Sequence, residues 1–161
     1  MSSPQPEARS DIPPLSERIS FRIHQLSAQM ARITNPLFRE FGIDVVSSQI
    51  LLLVQERGGV AMSELLGIMH LPQSTISHQL QRLEKRGYIL RERGGVDQRA
   101  VSISLTESGA EVARKCEGIS ATVYAAMVDG PHGSSAADIC AELDVMLDQL
   151  SRLRADDHRD A

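Results

Sequence analysis

Residues 72–109 constrain this chain more than any other stretch. LPQSTISHQLQRLEKRG leads directly into YILRERGGVDQRAVSISLTESG. Pro72 suits the first turn of a helix, where the amide it lacks would have had no partner. Ile76, Leu80 and Leu83 recur on one face of that helix, and Ser74, Ser77, His78, Gln81, Arg82 and Lys85 occupy the others. Gly87 ends the helix. Residues 88–93 and 100–105 then alternate as paired strands, with Val101, Ile103 and Leu105 against Ser102 and Ser104, and Gly94-Gly95 supplies the turn.

A helix with such a polar face, followed at once by a basic hairpin, describes a winged helix-turn-helix. Hydroxyl, amide, imidazole and cationic groups with few acids are what base edges and phosphates require. Gln73, Ser74, Thr75, Ser77, His78, Gln81 and Arg82 are the expected contacts of the helix to double-stranded DNA. Arg93, Asp97 and Arg99 are those of the hairpin, and Arg91 is expected to meet phosphate or solvent. Asp97 lies two residues from Arg99 on the same side of the strand, placed to orient a guanidinium toward a narrow minor groove. Charge agrees once the chain is divided. The whole carries −4, yet residues 72–105 hold six Lys/Arg against three Asp/Glu, and residues 106–161 hold five against eleven. The acidic remainder would repel phosphate and leave one docking face.

The flanks are helical. Residues 1–14, with four prolines among polar residues, read as a disordered arm. From Leu15 to Gly42 an apolar stripe runs through Ile19, Ile23, Leu26, Met30, Ile33, Leu37 and Phe41, with Pro36 expected to kink or interrupt it. Ser47 is expected to cap a second helix that Gly58-Gly59 ends, and Ser63 to start a short third. Residues 43–109 thus form the DNA-binding domain. A fifth helix carries Val112, Cys116, Ile119, Val123 and Met127, and Ser135 with Asp138 makes a capping box for a sixth. That helix carries Ile139, Leu143, Met146, Leu150 and Leu153, before a polar tail (155–161) expected to fray. The fold class is therefore mainly α with a small β-hairpin wing. The stripes at 15–42 and 110–154 need a partner, and a second copy of the chain is the simplest one.

The order of these elements resembles the MarR family of bacterial transcriptional regulators over residues 15–153. The resemblance rests on Asp97-Gln98-Arg99-Ala100, similar to the family's D-x-R-A pattern, and on Leu105-Thr106-Glu107-Ser108-Gly109, similar to its L-T-x-x-G helix start. Ser63-Glu64-Leu65 and Leu83-Glu84-Lys85-Arg86-Gly87 fit two further landmarks. It implies a homodimer joined by the terminal helices and a recognition helix in the major groove. It also implies a wing arginine in the minor groove and, in many members, release of DNA by a small aromatic molecule. The first helix lacks the cysteine that the family's redox-sensing branch carries there.

The expected function is a dimeric repressor of an inverted-repeat operator, with no cofactor. Arg18, Arg22 and His24, polar insertions in the first helix, are candidate anchors for an anionic aromatic effector. The bland alternative is that they face solvent or bridge subunits. Cys116 and Cys140 lack a pairing motif, which suits a reducing cytosol, and no apolar run is long enough to span a bilayer. The five histidines form no local metal-ligand pair. A redox- or metal-responsive regulator and a winged-helix module that binds protein remain as alternatives. An enzyme is disfavoured, since no nucleophile motif, phosphate-binding glycine loop or paired catalytic carboxylates occur.

Overall fold

The computed structural model of the chain describes residues 12–93, 101–130 and 133–157. A 3-10 turn at Leu15–Glu17 precedes α1 (Ile19–Arg39), α2 (Val45–Arg57), β1 (Val60–Ala61), α3 (Met62–Met69) and α4 (Gln73–Lys85). Then come β2 (Ile89–Arg93), β3 (Val101–Leu105), α5 (Glu107–Val128) and α6 (Ala136–Asp157). The chain divides into two compact units, Met1–Ile119 and Ser120–Ala161.

In the first unit, Ile50, Leu51 and Val54 of α2 meet Leu65 of α3, Ile76, Leu80 and Leu83 of α4, and Ile89 and Ile103 of the sheet. Each of these side chains is almost wholly excluded from water, which contributes about 1.5–3 kcal/mol apiece. The apolar face predicted for α4 is thus the face that packs. The sheet is antiparallel and three-stranded in the order β1-β3-β2, with Val60 opposite Ile103 and Ile103 opposite Arg91. The hairpin was expected. Its third strand was not, because two residues are too short to show a period.

Several boundaries differ from expectation for local reasons. Arg18 is extended, so the turn at Leu15 and α1 are separate. α1 runs through Pro36 to Arg39, its last turn held by Phe38, which is buried in the core. Gly42, at φ +67°, completes the exit as predicted. Asp44, not Ser47, caps α2, accepting the Ser47 amide at 2.9 Å. Ser63 is the second residue of α3, whose cap is Ala61. Gly58 ends α2 in the left-handed region. His70 adopts φ +50° at the α3–α4 turn, a conformation that histidine visits more readily than most side chains.

Thr106 and Gly109 explain the L-T-x-x-G landmark physically. Thr106 Oγ1 accepts the Gly109 amide at 3.0 Å and donates to the Gly87 carbonyl at 2.6 Å, which caps α5 and ties it to the end of α4. A Cβ on Gly109 would lie 1.8 Å from the Tyr88 carbonyl oxygen, so the backbone approach there requires glycine.

In the second unit the capping box is formed as expected. The Asp138 amide donates to Ser135 Oγ at 3.1 Å, and the Ser135 amide donates to Asp138 Oδ2 at 3.2 Å. The Ser135 hydroxyl also donates to Asp138 Oδ2, at 2.7 Å, and this bond, followed by the one from the Ser135 amide, keeps the Asp138 carboxyl below its usual range. α6 exposes Ile139, Leu143, Leu147, Leu150 and Leu153, as α1 in the first unit exposes Ile19, Ile23, Leu26, Ile33 and Leu37. The backbone expected to fray from Ala155 stays helical to Asp157. An ion pair between Arg152 and Asp148, one turn apart, supports that end. The arm expected at residues 1–14, apart from 12–14, and residues 158–161 of the expected polar tail lie outside the described residues.

Candidate nucleic-acid interface

With Ile76, Leu80 and Leu83 buried, α4 turns its other faces outward. Gln73, Ser74, His78, Gln81 and Lys85 are exposed, and Thr75, Ser77 and Arg82 are half-buried. Six of the seven residues expected on this helix thus form one open polar surface of amides, hydroxyls and an imidazole.

The seventh, Arg82, is held from within. Its Nη1 donates to Asp44 Oδ2 at 2.7 Å and to Gln79 Oε1 at 3.0 Å. Gln79 is buried on the apolar side of α4; its Nε2 donates to Asp44 Oδ2 at 3.0 Å, and its Oε1 accepts the Ser47 hydroxyl at 2.9 Å. Burial is the largest single influence on Asp44 and raises its pKa. The bonds from the Ser47 amide, Arg82 and Gln79 together outweigh it and hold the carboxyl below its ordinary value. Four side chains therefore lock the first turn of α2 to the middle of α4 and fix how α4 is presented.

Asp44 and Gln79 were not singled out from the sequence, and Glu84 was noted only within the landmark at residues 83–87. An amide one turn from Ile76 on an otherwise apolar face was the available signal for Gln79. For Asp44 the signal was an acid three residues before Ser47.

The hairpin is anchored similarly. Arg91, expected to meet phosphate or solvent, instead pairs with Glu84 in the last turn of α4, its Nε donating at 2.9 Å and its Nη2 closer still. The Arg91 hydrogen bond lowers the Glu84 pKa, and Glu84 raises that of Arg91. Arg86 lies against the Gly42 backbone. The side chain of Arg93, and Asp97 and Arg99 entirely, lie outside the described residues.

Arg18, Arg22 and His24 are exposed on α1 and its cap. Arg18 Nε donates to the Pro13 carbonyl at 2.9 Å, and Arg22 Nη1 to Gln25 Oε1 at 3.3 Å. A cleft of about 380 Å³ lies elsewhere, between α2 and α3, lined by Gln49, Leu52, Leu53, Glu56, Ile68 and Met69. Cys116 is buried in the core, and burial pushes its thiol up to about 11, whereas Cys140 is exposed. Among the described residues no group of three or more His, Cys, Asp or Glu is placed to hold a metal ion, and no helix is long and apolar enough to cross a membrane.

The family model described as transcriptional regulator SarA/Rot matches residues 32–116, more than half of the chain. The organic hydroperoxide resistance transcriptional regulator of Bacillus subtilis is 30% identical over 117 residues, which are 73% of this chain and 80% of the relative. The chain belongs to the MarR family of winged helix-turn-helix transcriptional regulators. A MarR-family chain of this kind is a DNA-binding transcriptional regulator, and its relatives are regulators rather than enzymes. Two solved structures share the fold. The S. aureus MepR–DNA complex superposes with a TM-score of 0.74 at 21% identity, covering 83% of this chain and 98% of that one. Bordetella bronchiseptica BpsR, described in terms of regulation of its DNA binding by 6-hydroxynicotinic acid, superposes at 0.72 and 16% identity, covering 83% and 95%.

Proposed function

We propose that this MarR-family regulator is a dimeric repressor of an inverted-repeat operator, with α4 as its recognition helix. The observation that carries the reading is the surface of α4: an open polar face opposite a fully packed one, its attitude fixed by the Asp44–Gln79–Arg82 network. Gln73, Ser74, Thr75, Ser77, His78 and Gln81 contact base edges and phosphates in the major groove. Arg82 holds the helix, because Asp44 and Gln79 already engage it. In the wing, Arg93 meets phosphate, and Arg99, oriented by Asp97, enters the minor groove.

The dimer is built from residues 15–42 and 110–154. Its support is the exposed apolar stripes of α1 and α6, since large apolar side chains repeated along one helix mark an interaction surface. A two-fold axis then puts two recognition helices in successive major grooves, about 34 Å apart. The effector is an anionic aromatic molecule that meets Arg18, Arg22 and His24 beside Ile19, Ile23, Leu26 and Met30. The exposed hydrogen bonds these arginines make are weak enough to be exchanged for a carboxylate. A ligand of that class, 6-hydroxynicotinic acid, is named for BpsR. The hydroperoxide role named for the Bacillus relative is not carried over, since α1 contains no cysteine.

A gel shift with the DNA upstream of the chain's own gene, run beside sedimentation of the free protein, tests this reading. Dimeric protein binding an inverted repeat and released by an aromatic acid is the expected result. A stable monomer, or equal affinity for an isolated half-site, contradicts it.

A further inference from the structure

Arg91 is part of the basic hairpin, yet its charge is already satisfied. Glu84 takes two of its nitrogens from the last turn of α4, and both side chains are partly shielded, Arg91 at 30% and Glu84 at 40% exposure. Arg91 sits mid-strand, opposite Ile103 on β3 and four residues beyond Gly87, about 13 Å out at 3.3 Å per residue. The base of the hairpin is fixed separately. Thr106 and Ser108 both donate to the Gly87 carbonyl, at 2.6 and 2.9 Å, and the Tyr88 amide donates to Leu83. β3 is held further out by the burial of Ile103 and its pairing with Val60, whereas β2 is the outer strand of the sheet and, among the described residues, pairs with β3 alone. A side-chain bond from α4 to the middle of β2 therefore adds a direct hold on the angle of that strand.

We propose that Glu84–Arg91 is a strut that sets the angle of the wing to α4, so that recognition helix and wing meet DNA as one rigid unit. Arg91 is then a positioning residue and not a phosphate contact. The inference rests on the DNA-binding reading and makes Glu84, an acid beside the DNA-facing helix, favourable to binding. Simple electrostatics gives Glu84 the opposite sign, since a carboxylate near phosphate repels it.

The test compares the unmodified protein with Glu84→Gln, Arg91→Gln, the double variant, and the charge swap Glu84→Arg with Arg91→Glu. Operator affinity is read across a series of salt concentrations, and amide hydrogen exchange of Ile89–Arg93 is read without DNA. Each single variant should weaken operator binding about two- to fivefold per wing. The double variant should be no worse than the weaker single, and the swap should recover most of the loss. The slope of log affinity against log salt should not move, and exchange in β2 should quicken in both singles. A slope shallower by about 0.9 per wing in Arg91→Gln would make Arg91 a phosphate contact and overturn the inference. Tighter binding by Glu84→Gln, or unchanged exchange in both singles, would overturn it as well. Failure of the unmodified protein to bind any operator would instead strike the DNA-binding reading, and the exchange rates would still decide whether the strut exists.

Discussion

The Ser47 hydroxyl donates to the Gln79 side-chain carbonyl across 2.9 Å, joining two buried residues 32 positions apart in the chain. A buried amide costs free energy unless both of its ends are bonded, and here both are, to Ser47, Arg82 and Asp44. α4 is therefore fixed against α2 by directional bonds as well as by apolar packing, which resists sliding less. For a helix that must match the edges of specific base pairs, fixed rotation about its own axis matters more than added stability.

Asp44 is the hub of that network and gives it a pH signature. Its carboxyl is held below the ordinary value of 3.8 in the folded chain. A group with a depressed folded pKa contributes stability that is complete above the unfolded value and is lost as pH falls through the folded one. Asp44→Asn should therefore cost about 1–2 kcal/mol at pH 7, the worth of charge-assisted bonds to Arg82 and Gln79. The difference from the unmodified protein should start to narrow at about pH 4 and close as the pH falls through the lower folded value. Urea unfolding between pH 7 and pH 3 measures it, and a gap independent of pH would remove Asp44 from this role.

Gly109→Ala should destabilise the fold by about 3 kcal/mol, at the upper end for overpacking, because the new methyl meets backbone rather than a movable side chain. Gly118→Ala in the same helix meets nothing within 4 Å and should cost nothing or stabilise slightly. Denaturant midpoints of the two variants, side by side, decide this.

Cys116 should stay unmodified by thiol reagents at pH 8 until the chain unfolds. Its thiol is buried and its pKa is pushed up to about 11, so almost no thiolate exists to react. Peptide mapping after alkylation, with and without urea, follows it. Rapid native labelling of Cys116 would reopen a redox role for the core.

Residues whose partners are near in sequence, or whose role is simply to be apolar, were legible beforehand. Ile76, Leu80 and Leu83 announced the buried face of α4, Ser135 with Asp138 announced the start of α6, and Gly42 and Gly58 announced helix exits. Asp44, Gln79 and Arg82 were not legible as a group because 35 and 38 residues separate the partners. Polarity alone put Arg82 among the DNA contacts, and nothing local marked it as engaged. The pairing of Arg91 with Glu84 was hidden for the same reason, since it depends on the angle between a helix and a strand. Val45 and Val46 hid the true start of α2, because two β-branched residues do not look like a first helical turn.

In the proposed function, the exposed face of α4 distinguishes one DNA sequence from another. Fluorescence anisotropy of unmodified protein, His78→Ala and Gln81→Ala, titrated onto the operator and onto a random duplex, tests it most directly. For a residue that reads a base, truncation should cost about 1–3 kcal/mol on the operator and little on random DNA. The ratio of the two affinities should then fall about 5- to 160-fold in at least one variant. An unchanged ratio in both variants, with operator and random DNA weakened alike or not at all, would contradict the account.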